Sequence, residues 1–530
     1  MKKSGFTLAE LLGVIIIISA LMFVVLVPIT NSINNMNKKM YESNKKIVVE
    51  ATRKFVEENK EDFKPNKGVV YTLYLEQLIE EGYLDSKILD NLYKTNTDID
   101  GAIGLTSYEN ENLTNIYVVN IEGNGKDFKY NVLSTFDSMN YFKNNYSTIN
   151  HDGKKLLLKN KYNVDNTIYF SGIFWEPYGV NKDGSLRLIT RDVITALIPN
   201  EGNQTYEDSY VREWLNNEFY QKLKTKNLIV DTEFCMDETD NSASTILECE
   251  NKIKDKVGLL SVFEINSGMD KDIVANGSNF ILHNTTNINK FYTFDSDKII
   301  RTGNRDIPLF IRPVISISKN SKLLRYLKDG EESYLYVQIE DSEQNTATNN
   351  IVLQPGRYVK FQDSTEVYRI IDSTNKYIKL LSTSASTHSS YSNGTEKINL
   401  NNGVGYKLNM ELFPTLDLKP EIKEKVINNM QYLSDISLDY KINSKDTYLL
   451  ENAYLLPPKL GDMFIVSNLP TMTSTEKSTT QTYMIYPNLV NTFTKSLTGN
   501  VNYVMYVKND FIIKSGKGRY KTEPYILDVK

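Results

Sequence analysis

An uncharged apolar run near the N-terminus constrains this chain more than any other feature. Residues 11–29 contain no charged side chain, and as one helix they would span roughly 28 Å, close to the thickness of a bilayer core. Lys2 and Lys3 precede the run, so the positive-inside rule predicts a cytoplasmic start and an exported remainder. We therefore expect residues 11–29 to span the cytoplasmic membrane once.

Three interpretations of this run compete. A secretory signal would carry a cleavage site after a short apolar core, but more apolar sequence follows Ser19 and Ala20. A simple anchor gives no reason for Glu10 at the edge of the run, because a carboxylate in the membrane is costly without a partner. The third interpretation rests on residues 5–10, Gly5-Phe6-Thr7-Leu8-Ala9-Glu10. They resemble the prepilin peptidase site of type IV pilins and type II secretion pseudopilins.

The resemblance to pilins implies a processing site and an assembly site. Prepilin peptidase would cut after Gly5, and Phe6 would become the methylated N-terminal residue. Glu10 would form an ion pair with the N-terminal amine of a neighbouring subunit. Residues 1–5 would be the leader, 6–60 the pilin helix and 61–139 the pilin globular domain. Other pilins of the same filament are then the implied partners.

Patterns after the run agree with a pilin layout. Apolar residues spaced by three, four and seven predict that the helix continues as an amphipathic stem until Lys64-Pro65; they are Ile33, Met36, Met40, Ile47, Ala51 and Phe55. A second helix is predicted over residues 71–84, with Gly82 as its stop. Two strand patterns flank residues 123–125 and predict a hairpin.

Residues 140–160 are polar and are interpreted as a linker. Residues 161–330 resemble an uncharacterised domain family of bacterial surface proteins, through the R-x-W-L-N-x-x-F-Y pattern of residues 212–220 and the R-P-x-x-x-I pattern of residues 312–317. Residues 350–530 repeat this order more faintly. Leu408-Asn409 corresponds to Leu215-Asn216 at a separation of 193 residues (408 minus 215), and Glu523-Pro524 is matched with Arg312-Pro313. A diverged tandem copy and an unrelated strand-rich domain both stay open.

The predicted fold class is therefore α+β. A long N-terminal transmembrane and amphipathic pilin helix with a small antiparallel sheet is followed by two mixed, strand-rich domains. A C-type-lectin-like fold is the working expectation for these two domains.

Composition narrows the classes of function. The 61 Lys and Arg residues against 66 Asp and Glu residues give a net charge of −5, so we expect no nucleic-acid partner. The chain has three histidines and no common catalytic motif, and we expect no catalytic residue, metal or cofactor. Cys235 and Cys249 predict a disulfide in an exported domain, with two independent thiols as the alternative. Trp175 and Trp214 are predicted in the core.

These features favour a minor type IV pilin-like subunit that displays large extracellular domains for adhesion or filament initiation. Its expected partners are other pilins, prepilin peptidase and a host or matrix glycan or protein. Its expected location is the membrane first and an extracellular filament afterwards. A pseudopilin of type II secretion or competence is one alternative, and a membrane-displayed enzyme acting on glycans or peptides is another.

Overall fold

In the computed structural model, the described residues form two compact units. The structure describes residues 36, 39–66, 70–88, 113–114, 117–134, 147–151, 154–158, 167–199, 205–223, 226–241, 249–269, 271–275, 277–286, 290–304, 307–326, 334–338, 353–384, 386–434, 447–466, 470–516 and 518–529. One unit takes residues 1–99 and 115–135, and the other takes residues 100–114 and 136–530. Each is described by itself below.

The first unit packs one helix against a three-stranded antiparallel sheet. Residues 39–58 are helical (α1), and the other elements of this unit are β1 Val70–Tyr74, α2 Leu75–Glu80, β3 Tyr117–Gly123 and β4 Phe128–Ser134. Strand β2, Leu113–Thr114, belongs to the second unit. The sheet has the order β1-β3-β4. Gly123 pairs with Phe128, so the predicted hairpin is present. Phe63 joins helix and sheet, because its ring contacts Phe55 of α1 and Tyr71 of β1.

The predicted fold class, with its long N-terminal transmembrane helix, is wrong. Strands dominate the part of the chain that the structure describes, and α1 carries charged residues along its exposed side. Among the described helices, none is both long enough and apolar enough to cross a membrane. Residues 11–29 lie outside the described residues. The prediction gave the apolar N-terminus too much weight against the many β-branched and aromatic residues that favour strands further along the chain.

The predicted buried face of α1 is also wrong in its first half. Met36 and Met40 are 70% and 43% exposed. The buried face instead runs through Val48, Thr52 and Val56, which are spaced by four. The Thr52 hydroxyl donates to the carbonyl of Val48 at 2.8 Å, so a polar residue is satisfied at a position where the apolar pattern predicts none.

The helix predicted over residues 71–84 begins as a strand. Residues 70–74 form β1 and only residues 75–80 are helical. The Val-Tyr-Thr-Leu-Tyr segment is β-branched and aromatic, and Leu73 points into the core while Tyr71 is half-buried. Gly82 does end the helix, with a φ of +77° that favours glycine.

The second unit contains two strand-rich repeats. The first repeat, residues 167–338, and the strands just before it consist of β5 Ser147–His151, β6 Lys154–Leu158, β7 Ile168–Phe170, β8 Ile173–Val180, β9 Leu186–Thr190, β10 Thr195–Leu197, β11 Thr232–Cys235, β12 Lys252–Asp255, β13 Val257–Gly258, β14 Phe280–Thr285, β15 Phe291–Phe294, β16 Ile300–Gly303, β17 Leu309–Ile311, β18 Val314–Ile317, β19 Lys322–Tyr326 and β20 Tyr334–Gln338. Its helices are α3 Tyr210–Glu213, the π-helix Trp214–Phe219, α4 Tyr220–Lys222, the 3₁₀ turn Lys226–Leu228, α5 Val262–Asn266 and α6 Lys271–Val274.

The second repeat covers residues 353–529. Its strands are β21 Tyr358–Phe361, β22 Val367–Ser373, β23 Tyr377–Ser382, β24 Thr387–Ser390, β25 Val426–Ile427, β26 Asn429–Ser434, β27 Thr447–Ala453, β28 Thr471–Glu476, β29 Gln481–Ile485, β30 Val490–Thr494, β31 Thr498–Val501, β32 Val504–Lys508, β33 Phe511–Ser515 and β34 Tyr525–Val529. Its helices are α7 Gly403–Tyr406, the π-helix Lys407–Leu412, α8 Phe413–Thr415 and α9 Pro420–Lys423.

The main sheets of the two repeats have the same strand order. The first runs β18-β9-β8-β7-β20-β19 and the second runs β32-β23-β22-β21-β34-β33. In each, one neighbouring pair is parallel, β7 with β20 and β21 with β34, and the other pairs are antiparallel. Strands β9 and β18 are buried along their whole length, which places them at the centre of the first core.

Equivalent side chains make equivalent hydrogen bonds in the two repeats. In the first, the Asn216 carboxamide donates to the carbonyl of Val257 at 2.9 Å and accepts its N–H at 3.1 Å. In the second, Asn409 donates to the carbonyl of Leu455 at 2.9 Å and accepts its N–H at 2.9 Å. Both asparagines lie in a π-helix. The structure therefore has the same architecture twice, with a diverged sequence.

A buried ion pair also occurs at the same place in each repeat. Arg187 of β9 pairs with Glu264 at 3.0 Å, and Lys379 of β23 pairs with Asp462 at 2.7 Å. The acid is held alike in both, because its carboxylate accepts the backbone N–H three residues earlier, at Ser261 and at Lys459. The base is arginine in one repeat and lysine in the other, and the acid is glutamate in one and aspartate in the other, but the ion pair is present in both.

One proposed correspondence between the repeats is wrong. The sequence order matches Arg312-Pro313 with Glu523-Pro524, but Asn502 occupies the position of Arg312. The Arg312 guanidinium donates to the carbonyl of Thr190 at the end of β9, and the Asn502 carboxamide donates to the carbonyl of Ser382 at the end of β23. A repeated proline misled the comparison, because a chemically different side chain makes the equivalent bond.

Residues 459–466, here called the strap, join the second repeat to the first. The N–H of Gly461 donates to the carbonyl of Ala196 at 3.2 Å, and the N–H of Phe464 donates to the carbonyl of Ile194 at 2.5 Å. Phe464 has a φ of +59°, which is unusual for a bulky residue, and its ring lies 4.2 Å from the Arg369 guanidinium. The interface holds this strained backbone in place.

Candidate ligand cleft

A cleft of about 520 Å³ opens where the helix of the first repeat begins. Its lining comes from the segment before α3, from the exposed side of α3 and the π-helix, and from the end of β12; the residues are Glu207, Asp208, Ser209, Arg212, Glu213, Asn216, Asn217 and Asp255. The sequence pattern of residues 212–220 marks this helix, but only Arg212 and Asn216 of the pattern line the cleft.

The floor of the cleft is built by hydrogen bonds from the helix start. Ser209 caps α3 and accepts the Arg212 N–H at 3.1 Å. The Arg212 guanidinium donates two hydrogen bonds to the Asp255 carboxylate, from Nε to Oδ2 at 2.8 Å and from Nη2 to Oδ1 at 3.0 Å. Its Nη1 donates to the carbonyl of Glu207. Its hydrogen bond to Asp255 raises the pKa of Arg212. The guanidinium is therefore fixed in one orientation.

The side chains that line the cleft carry a net negative charge. Arg212 is paired with Asp255, and Glu207, Asp208 and Glu213 add three further carboxylates to the lining. Glu207 and Asp208 are exposed, and Glu213 is half-buried. The arrangement offers hydrogen-bond acceptors to a cationic or hydroxyl-rich group.

The second repeat keeps the scaffold of this helix but not the charges. At the equivalent positions, the residues are uncharged; they are Leu400, Asn401, Gly405, Tyr406 and Ala453 in place of Glu207, Asp208, Arg212, Glu213 and Asp255. Asn409 and the π-helix are retained. Because the second repeat forms the same architecture without them, the charged residues of the first cleft are not required by the fold.

The π-helix has a structural explanation in both repeats. Such helices are frequent at functional sites because they aim a side chain out of the regular α-helical ladder. Here they aim Asn216 and Asn409 at a neighbouring backbone. Trp214 in the first π-helix is 2% exposed and Trp175 is fully buried, so both tryptophans belong to the core as predicted.

Cys235 and Cys249 form a disulfide, with their Cα atoms 5.8 Å apart. Asp237 lies beside the bridge, but its carboxylate accepts the N–H groups of Glu250 and Asn251. Two sulfurs bonded to each other offer no thiolate to a metal. This group therefore fits a closed hairpin loop rather than a metal site.

The predicted N-terminal sites, Gly5, Phe6 and Glu10, lie outside the described residues. Residue 140, the predicted start of the linker, also lies outside them. The described part of the predicted linker forms the paired strands β5 and β6, and β6 also pairs with β8. Sequence reasoning missed Glu207, Asp208 and Asp255 as cleft residues. Asp255 is distant in sequence from α3 and nothing in its neighbourhood signals the contact with Arg212.

Comparison with known families supports a domain assignment for part of the first repeat. Residues 183–307 match DUF6273, a domain of unknown function. The matched part includes the R-x-W-L-N helix and the whole cleft. No curated protein and no solved structure matches the chain.

Proposed function

We propose that this protein is a minor type IV pilin-like subunit that displays its two repeats outside the cell as a binding module. The proposal is carried by one observation, the Gly5-Phe6-Thr7-Leu8-Ala9-Glu10 hexapeptide between two lysines and an apolar run. In pilins, such a hexapeptide directs cleavage, methylation and assembly. The proposal assigns these roles to Gly5, Phe6 and Glu10.

Features of the described residues support this assignment without depending on it. The first unit packs a helix on a small antiparallel sheet, as expected for a pilin globular domain. The Cys235–Cys249 disulfide suits an oxidising compartment outside the cytoplasm. The repeats are too bulky to occur on every subunit of a close-packed shaft, so we propose a minor position.

The cleft of the first repeat is the proposed ligand surface of the displayed module. The charged residues of this cleft are absent from the second repeat, so the fold that the repeats share does not require them. A ligand with amine or hydroxyl groups, on a protein or a glycan, matches the exposed carboxylates of Glu207 and Asp208.

Filament incorporation tests the proposal. Glu10→Ala should leave cleavage after Gly5 intact and remove the protein from sheared filaments, detected by immunogold labelling and immunoblot. Glu42→Ala is the matched control, because Glu42 is exposed on α1 and makes only a long 3.9 Å contact with Lys45. Glu42→Ala should be incorporated normally. Normal incorporation of Glu10→Ala would contradict the assembly role.

A further inference from the structure

The two repeats also differ at the outer side of an edge strand. Strand β10 of the first repeat pairs with β17, and β24 of the second pairs with β31, both antiparallel. The registers correspond, since Ile194 N–H donates to Ile311 at 2.9 Å and Ser386 N–H donates to Val501 at 3.0 Å. The two edges therefore point their unpaired backbone groups in equivalent directions.

In the first repeat this edge is covered. The strap of the second repeat lies along β10, where the carbonyls of Ile194 and Ala196 accept two of its N–H groups. Every residue of β10 is buried as a result. The edge is therefore covered by backbone of the neighbouring repeat, in a turn-containing segment with a positive φ at Gly461 and Phe464.

In the second repeat the equivalent edge is open. Within the described part of the chain, β24 pairs with β31 alone. Its four residues are half-buried or exposed, with His388 exposed. The carbonyls of Ser386 and His388 correspond to those of Ile194 and Ala196, so they face away from β31. No described residue outside the ladder donates to them.

Strand β24 also lacks the features that usually block edge pairing. The segment Thr387–Ser390 contains no proline and no Lys, Arg, Asp or Glu, and it pairs with β31 without a register shift. The outer edges of β16 and β30 are partly exposed, so comparing the repeats does not distinguish them. A second difference lies at β33, because its counterpart β19 pairs with β2, whereas β33 is the last described strand of its sheet. Strand β33, however, contains Lys514 and has a register shift against β34, and both features discourage edge pairing.

We propose that β24 is a self-association site at which two copies of this chain pair their β24 strands antiparallel. The first repeat supplies the precedent, because its edge is covered by another repeat of the same architecture. In a second molecule, the strap is already bonded to β10 of the same chain. The segment of the first repeat that corresponds to the strap is helix α5, which offers no strand for pairing. The second molecule therefore offers its own β24, and pairing about His388 lets each His388 N–H donate to the other His388 carbonyl. This inference does not depend on the proposed pilin function.

Sedimentation velocity of the full chain over a range of concentrations tests the pairing. His388→Pro removes the outward N–H but spares the bonds to β31, since an edge strand tolerates proline where its N–H faces out. We expect His388→Pro to weaken self-association by at least about tenfold. His388→Gln, which keeps the N–H, should associate like the parent chain. Equal association of the proline variant, or a parent chain that stays monomeric throughout, would overturn the proposal.

Cross-linking gives a second readout that does not need the proline variant to fold. Opposed residues of a hydrogen-bonded antiparallel pair have Cα atoms about 5.5 Å apart, within disulfide range. Cys235 and Cys249, the two cysteines of the chain, are bonded to each other, so His388→Cys supplies one new thiol. It should form a covalent dimer on mild oxidation, whereas Ser478→Cys, in an exposed turn, should not. Equal dimer yields from the two variants would contradict pairing at β24.

Discussion

Removing the acid from the buried Arg187–Glu264 pair should strongly destabilise the first repeat. Both side chains are at most 1% exposed, and their charged atoms are 3.0 Å apart. In Glu264→Gln the Arg187 charge stays in the core, with the Tyr178 hydroxyl still accepting from Nε at 2.8 Å. Breaking one side of a buried ion pair costs about 3–5 kcal/mol. For a domain of this size, that loss lowers the melting temperature by roughly 6–20 °C.

Tryptophan emission during urea unfolding of the full chain is the assay. Trp175 and Trp214 are the only tryptophans of the chain, and both are buried in the first repeat. Their emission therefore follows that repeat alone. Asp462→Asn, which breaks the equivalent pair of the second repeat, is the matched control and reports whether the repeats unfold together. If Glu264→Gln lowers the free energy of unfolding by less than about 1 kcal/mol, the buried pair contributes no more than a surface ion pair does, and the reasoning is refuted.

Three further predictions use the same unfolding assay. Reducing the Cys235–Cys249 bridge, which links residues 14 apart, should lower the free energy of unfolding by about 3 kcal/mol, and an unchanged midpoint in dithiothreitol would contradict this. Asn216→Ala should lower the free energy of unfolding by about 1–3 kcal/mol, because the Val257 N–H and carbonyl lose their partner. Asn217→Ala, at the exposed neighbouring residue, should leave the free energy of unfolding almost unchanged. Burial opposes the charged form of Asp462, yet the Lys379 charge lowers its pKa below the ordinary 3.8, so its stabilising effect is present above about pH 4 and is lost as the pH falls through the lowered pKa. Asp462→Asn should therefore reduce the acid dependence of unfolding below about pH 4, and an unaltered dependence would count against the assignment.

The sequence predicted the repeated helix better than it predicted the strands around it. Leu215-Asn216 and Leu408-Asn409 are recognisable because each asparagine makes the same two bonds to a strand, and no other side chain of that size offers both a donor and an acceptor. The match of Arg312 with Asn502 was not visible. Arginine and asparagine differ in sequence comparison, although both donate to a carbonyl at the same place.

The errors in the first unit have a local origin. Residues 71–79 carry apolar side chains at both helical and strand spacing, and tertiary pairing of β1 with β3 decides between the two. The candidate cleft was also beyond sequence reasoning. Asp255 reaches Arg212 across 43 residues, and the charge of the cleft is recognisable only once this contact is known to neutralise the arginine.

The N-terminal mass and sequence of the native chain test the central claim most directly. The chain would be isolated from membranes and from sheared surface filaments of cells that contain prepilin peptidase. The account predicts a chain that lacks residues 1–5 and begins at Phe6, with a methylated N-terminal amine. A chain that still begins at Met1 in both fractions would contradict the account.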